Sequence, residues 1–89
     1  MVIEIHNDPI YVVSILTQHA ILVDWHEVLC TTHIDRAIAK GNMWLDKGIE
    51  VNIKSWITEM DFESCTIGKE NRIFIGDDDI ITWKEKENK

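Results

Sequence analysis

The chain lacks the features that define several protein classes. Its 89 residues include one proline, four glycines and two cysteines, so we expect neither a linker-rich nor a disulfide-stapled architecture. No apolar run approaches the roughly 20 residues of a membrane span, and the N-terminal MVIEIHNDP has no basic segment followed by an apolar one. The sequence therefore predicts a single domain, residues 1–89, in the cytoplasm (the host cytoplasm for a viral protein) and away from membranes.

Positive charge is also scarce. Sixteen acidic residues against nine basic ones give a net charge of −7, and between Glu59 and Asp79 seven acids face only Lys69 and Arg72. A surface of this kind repels phosphate backbones, so we expect no direct nucleic-acid binding. In the C-terminal WKEKENK the glutamates alternate with the lysines and are expected to cancel them, so residues 84–89 are predicted to form a solvated tail.

The N-terminal half is predicted to consist of strands. Residues 2–6 alternate apolar and polar side chains and predict a first strand. IYVVSIL is rich in β-branched residues, which favours a central strand. Asp8 as N-cap with Pro9 at the first helical position would also suit a buried helix, so residues 9–22 stay open between strand and helix. AILVDW predicts the next strand, pairing back through the polar TQH.

One principal α-helix is predicted over residues 33–47. Thr32 and Asp35 resemble a capping box, an apolar stripe with a period of 3.6 follows, and Lys47-Gly48 supplies a basic last turn and a glycine stop. Strands are then predicted for IEVNI and its continuation, for DFESCTI, and for a hairpin in which RIFI and IITW are joined by Gly-Asp-Asp-Asp. The predicted fold is α+β, a mainly antiparallel sheet with this helix packed on it.

His26, Cys30 and His33 are the one set of residues with metal-ligand spacing. Offsets of four and three would place them on one face of a helix, where they could supply three zinc ligands or a redox site. A helix capped at Thr32 would break that face, and neither CxxC nor HExxH is present. We therefore expect no metal and no cofactor, with this set as the alternative, and we expect Cys30 and Cys65 to be free, buried thiols.

The acidic and aromatic residues of the C-terminal half predict a partner surface. Consecutive aspartates 77–79 suit a hairpin turn better than a calcium or magnesium site, which needs acids at alternate positions. Most of the four tryptophans should be core, but exposed ones are enriched at interfaces. Trp83 ends the last strand beside the acidic turn, and Trp56 lies opposite the apolar face of its strand. The predicted partner-binding residues are Glu59, Asp61, Glu63, Asp77, Asp78, Asp79, Trp83 and Trp56.

The function predicted from these features is that of an interaction protein and not of an enzyme. A small acidic domain of this type would bind and block or modulate a basic, nucleic-acid-handling protein, as inhibitors, immunity proteins, antitoxins and phage anti-defence proteins do. One alternative is a metal-binding or redox module built on His26, Cys30 and His33. A second is a DNA-binding regulator that uses IDRAIAKGNMWLDKG as its recognition helix. An exposed first or last strand could also pair two copies into a homodimer.

Overall fold

The computed structural model describes residues 9–56, 62–77 and 80–86, which form an α+β fold. The strand predicted over residues 2–6 lies outside this range. The elements, in chain order, are β1 (Ile10–His19), β2 (Leu22–Thr31), α1 (Ile34–Asp46), β3 (Val51–Trp56), β4 (Phe62–Ile67), β5 (Asn71–Ile75) and β6 (Ile81–Glu85). The predicted class, one helix packed on a mainly antiparallel sheet, is confirmed.

Four strands form an antiparallel sheet in the order β2-β1-β3-β4, and β5 and β6 pair separately as a two-stranded sheet. β1 lies inside the larger sheet because it pairs with β2 on one side and with β3 on the other. Four consecutive β1 residues, 12–15, are buried. Burial of both faces requires an extended chain, since a helix in the same place would bury only a stripe. The helical reading of residues 9–22 is therefore wrong.

The hydrophobic core lies between one face of the four-stranded sheet and a layer made of α1 and β5. Its fully buried members are Val13, Ile15, Ala37, Leu45, Val51, Ile53, Ile67 and Ile73. The helix contributes every fourth residue from 37 to 45, the spacing expected of a single buried stripe. Each fully buried aliphatic side chain contributes about 1.5–3 kcal/mol, so this cluster is the main stabilising feature of the described chain.

The helix starts differently from the prediction. His33 is the N-cap residue, no side chain caps the helix, and the His33 amide donates to the hydroxyl oxygen of Thr31 at 3.1 Å. The capping box of Thr32 and Asp35 is therefore wrong. The reason is that β2 runs to Thr31, which leaves two residues for the connection and places the helix start one position later. Asp35 still lies in the first turn, where its negative charge is favourable.

The helix end confirms the glycine stop. Gly48 has φ +79°, its amide donates to the carbonyl of Leu45 at 2.9 Å, and the amide of Ile49 donates to the carbonyl of Trp44 at 3.2 Å. These two bonds form a Schellman motif, which needs a left-handed residue at this position. Lys47 is the C-cap and lies 4.8 Å from the centre of the Trp44 ring, so the helix itself has no basic last turn.

The predicted β5–β6 hairpin is confirmed, and α1 holds it in place. The side-chain amide of Asn42 donates to the carbonyl of Ile73 at 2.9 Å and accepts from the Ile73 amide at 2.8 Å. This is the pattern that a neighbouring strand would make. Asp46 adds exposed ion pairs to Arg72 at 3.6 Å and to Lys86 at 3.3 Å. The hairpin therefore docks on the helix without joining the four-stranded sheet.

Candidate interaction surfaces

The described part of the acidic region is the turn of the β5–β6 hairpin. Asp77 is exposed there, its carbonyl accepts from the amide of Ile80 at 3.4 Å, and Gly76 donates to the carbonyl of Ile80 at 2.6 Å. Glu63 lies in β4, opposite Ser55 of β3. Four of the predicted acidic residues lie outside the described residues: Glu59, Asp61, Asp78 and Asp79.

Apolar side chains surround this acidic turn. Trp83 is 47% exposed, Ile75 is 45% exposed and Ile80 is 59% exposed. Trp83 lies directly opposite the buried Ile73 across the hairpin, so its backbone is fixed although half of its side chain meets solvent. An exposed indole on a fixed backbone, in a hairpin whose turn carries an exposed carboxylate, has the composition of an interface centre with a charged rim.

Trp56 is also exposed, but it belongs to a different element. It ends β3 and pairs with Ile10 of β1, and the two side chains are 46% and 42% exposed. Trp83 lies in the separate two-stranded sheet. The two tryptophans singled out from the sequence therefore mark two surfaces, on different sheets.

The candidate metal ligands are separated by the fold. His26 lies in β2 opposite Ile15, whereas Cys30 lies opposite Val12, because a β-bulge shifts the register between them. Side chains alternate across a strand, so His26 and Cys30 point to opposite faces of the sheet. His33 follows as the N-cap of α1. Among the residues described, no three histidine, cysteine, aspartate or glutamate side chains are grouped closely enough to hold a metal ion.

The two thiols have different environments. Both are free, but Cys30 is exposed, so its expected burial is wrong. The bulge in β2 places Cys30 on the face opposite the core, at an edge strand, and this explains its exposure. Cys65 is half-buried, and desolvation raises the pKa of its thiol despite an opposing backbone hydrogen bond at Ile53. It lines a pocket of about 190 Å³ together with Tyr11, Ile53 and Ile81. That volume is below the usual range for ligand sites.

One face of the β5–β6 hairpin is basic, which the sequence analysis missed. Arg72 and Lys84 are directly opposite each other in the pairing, Lys86 follows two residues after Lys84, and all three line one concavity with the exposed Phe74. The alternation KEK cancels charge in a flexible tail. Residues 84 and 85 instead belong to strand β6, and Glu85 lines the same concavity as the three basic residues. Two of the basic residues, Arg72 and Lys86, also form ion pairs with Asp46 of the helix.

Among the described residues the most exposed apolar surface is the β1–β2 arm, residues 16–25, which was not predicted from the sequence. Beyond Ile15 of β1 the register with β3 ends, so these residues pair with each other, apart from the bond of the Leu16 amide to the carbonyl of Glu50. Ile21 is 94% exposed, Leu22 is 72% exposed, and Val23 and Trp25 are also exposed. The apolar run AILV directly after the polar TQH was the available signal. Such a run is typical of a buried strand, and the sequence does not show that the arm projects from the sheet.

Comparison with protein-family models, with curated proteins and with solved structures finds no match to the chain. None of the described helical residues belongs to a helix long and apolar enough to cross a bilayer. Within the described ranges α1 is the one helix, and it packs on β1, β2, β3 and β5. The fold and its exposed side chains are therefore the grounds for a functional argument.

Proposed function

We propose that this protein is a small, non-catalytic interaction protein of the cytoplasm that binds a basic protein and blocks or modulates it. The observation that carries the proposal is the β5–β6 hairpin, which exposes Trp83 in β6, Ile75 at the end of β5, and Ile80 and Asp77 in the connecting turn. Two further aspartates, Asp78 and Asp79, follow in the sequence. The partner class is a nuclease or another nucleic-acid-handling protein with a positive groove, and the carboxylates stand in for phosphates there.

The aromatic part of this surface supplies the binding energy in the proposal. Interfaces depend on a few desolvated anchors, among which tryptophan is over-represented. Trp83 is suited to that role because its strand partner Ile73 is held by the core and by Asn42. A fixed anchor loses little conformational freedom on binding, which favours affinity.

The carboxylates supply partner selection in the proposal. With a net charge of −7, the whole chain attracts a basic protein over several ångströms, and the aspartates at the turn orient it. Such steering acts mainly on the association rate and weakens as salt screens the charges. Binding should therefore be salt-dependent, with an apolar component that remains at high salt.

The test is capture of a partner from the protein's own cell extract with the tagged full chain, at low and at high salt. The variants are Asp77→Lys/Asp78→Lys/Asp79→Lys and, separately, Trp83→Ala. We expect a basic protein to be retained by the wild-type chain, to be lost gradually as salt rises, and to be retained at least tenfold less by either variant.

A matched control changes the net charge by the same amount at the other end of the hairpin and on the helix. Asp35→Lys/Glu70→Lys/Glu85→Lys alters three exposed acids away from the turn. We expect this chain to retain the partner within about threefold of wild type, because only the distant field changes. Equal losses in both triple variants, or intact binding in the triple variant at 77–79, would show that the turn is not the binding surface.

A further inference from the structure

The outer edge of β2 has no strand partner among the described residues. β2 is the first strand in the sheet order β2-β1-β3-β4, and it is ten residues long. Its first six residues are all exposed, and the neighbouring turn carries Ile21 at 94% exposure. A long edge strand next to exposed apolar side chains is a template for pairing with another strand.

The hydrogen bonds around the arm identify which backbone groups point outward from this edge. The amide of Leu16 donates to the carbonyl of Glu50 on the β3 side at 3.0 Å, so the backbone of the next residue, Thr17, faces β2. Its partner Asp24 faces back toward β1, and the Thr17 hydroxyl donates to the Asp24 carbonyl at 3.0 Å. Val23 and Trp25 therefore direct their backbone groups away from the sheet. The Trp25 amide is bound by the carboxylate of Asp24 at 2.8 Å and by no strand.

We infer that the occupant of this edge is a second copy of the same chain, paired antiparallel through β2 with Trp25 on the two-fold axis. The charges select this register. An axis at Asp24 would place two aspartates opposite each other, which is unfavourable. An axis at Trp25 places each Asp24 opposite His26 of the second copy, and by symmetry this contact occurs twice. The Asp24 carboxylate then gives up its hydrogen bond from the Trp25 amide and binds the imidazole instead.

The apolar side chains fit the same register. With Trp25 on the axis, the exposed Leu22 of one copy lies opposite Val28 of the other and next to its Leu29, and both of these pack against the core. On the other face of the sheet, away from Leu22, Trp25 lies opposite Trp25 of the second copy, with Val23 beside it. The pairing therefore covers the tip of each arm with the apolar base of the other.

The exposed area is large enough for a stable dimer. With side chains of ordinary size, the exposed fractions of the four apolar residues at the arm leave about 500 Å² per chain, at the upper end for a patch on a monomer. Those residues are Ile21, Leu22, Val23 and Trp25. Two copies together bring about 1,000 Å², the size at which specific interfaces begin.

The mass in solution and a register-specific cross-link test the proposal together. Sedimentation equilibrium of the full chain should give twice the 10.4 kDa of one chain. In a Cys30→Ala/Cys65→Ala background, chains with Val23→Cys are mixed with chains with Glu27→Cys and oxidised mildly. These positions are opposite each other in the proposed register, about 5.5 Å apart between Cα atoms, which suits a disulfide. Mixed disulfide dimers should exceed those formed by either chain alone.

Charge variants provide the second test. His26→Asp should raise the dimer dissociation constant by about tenfold, because each Asp24 would then face a second carboxylate in place of an imidazole. The swap Asp24→Lys/His26→Asp should restore it to within about threefold of wild type. Asp24→Ala should also weaken the dimer.

Two results would overturn the proposal. One is a wild-type mass of 10.4 kDa up to about 1 mM, with Asp24→Ala forming the dimer instead. In that case Asp24 protects the edge from pairing. The other is a dimer in which the mixture of Val23→Cys and Glu27→Cys cross-links no better than each chain alone, which would place the interface elsewhere.

Discussion

Replacing Asn42 by alanine should detach the β5–β6 hairpin from the helix. The hairpin makes no strand pairing with the four-stranded sheet. Besides the exposed ion pairs of Asp46, its polar connection to the helix is the pair of hydrogen bonds at 2.8 and 2.9 Å between the Asn42 side chain and the backbone of Ile73. Ile73 is itself 2% exposed, so its amide and carbonyl cannot turn to bulk solvent while the core stays closed.

The magnitude follows from these two bonds. Each ordinary hydrogen bond contributes about 1 kcal/mol, and leaving a buried donor and acceptor without partners costs about 1–3 kcal/mol more in total. We expect Asn42→Ala to lower the free energy of unfolding by about 3–5 kcal/mol. Thr82→Val is the matched control. It removes an exposed bond of 3.5 Å from the Thr82 hydroxyl in β6 to the carbonyl of Phe74, the neighbour of Ile73 in β5. That change should stay within about 0.5 kcal/mol.

Urea unfolding and amide hydrogen exchange measure the two consequences. In Asn42→Ala the urea midpoint should fall, and exchange at the Ile73 amide should become faster than in Thr82→Val, because the hairpin opens locally before the sheet does. A loss of less than about 1 kcal/mol, or an unchanged protection of the Ile73 amide, would refute the claim that Asn42 anchors the hairpin.

Three other changes have effects that the structure predicts. Gly48→Ala should destabilise by about 1–2 kcal/mol in thermal unfolding through its φ of +79° alone, since nothing lies near the added methyl group, whereas Gly68→Ala should be close to neutral. Ala20→Gly should stabilise the fold by up to about 1 kcal/mol and so raise the melting temperature, because Ala20 has φ +55° in the hairpin turn. A lower melting temperature would contradict this. A thiol reagent should modify exposed Cys30 much faster than Cys65. Because burial raises the pKa of Cys65, that thiol keeps its proton longer in the folded chain, and stability should fall as pH rises above the ordinary thiol pKa of 9.0. Equal modification rates, or stability that rises over that range, would contradict the assigned burial.

Periodicity and punctuation were sufficient to predict most of the secondary structure. The 3.6-residue stripe and Gly48 located the helix to within a residue at each end, since both signals are local. The β5–β6 hairpin followed in the same way from two β-rich runs and an acidic turn. The N-cap was misplaced because β2 runs on to Thr31, and the length of a strand depends on its partner, β1, rather than on its own residues.

The candidate surfaces depended on facts that a sequence pattern does not contain. His26 and Cys30 have helical spacing, but a single bulge in β2 places them on opposite faces of a sheet. Arg72 and Lys84 are opposite each other only because β5 and β6 pair, and β6 includes residues 84 and 85 of the segment predicted as a tail. The apolar tip at Ile21 and Leu22 is exposed because β3 begins at Val51, opposite Ile15, and does not extend along the arm. Each of these is a property of strand pairing between distant segments.

Native mass spectrometry of the protein, isolated under mild conditions from its own cell extract, tests the central claim most directly. The account predicts a complex with a basic protein, with no mass added by a metal, and dissociation of that complex as the ionic strength of the preparation rises. A chain that carries one zinc ion and no protein partner would contradict it. Such a result would return attention to His26, Cys30 and His33.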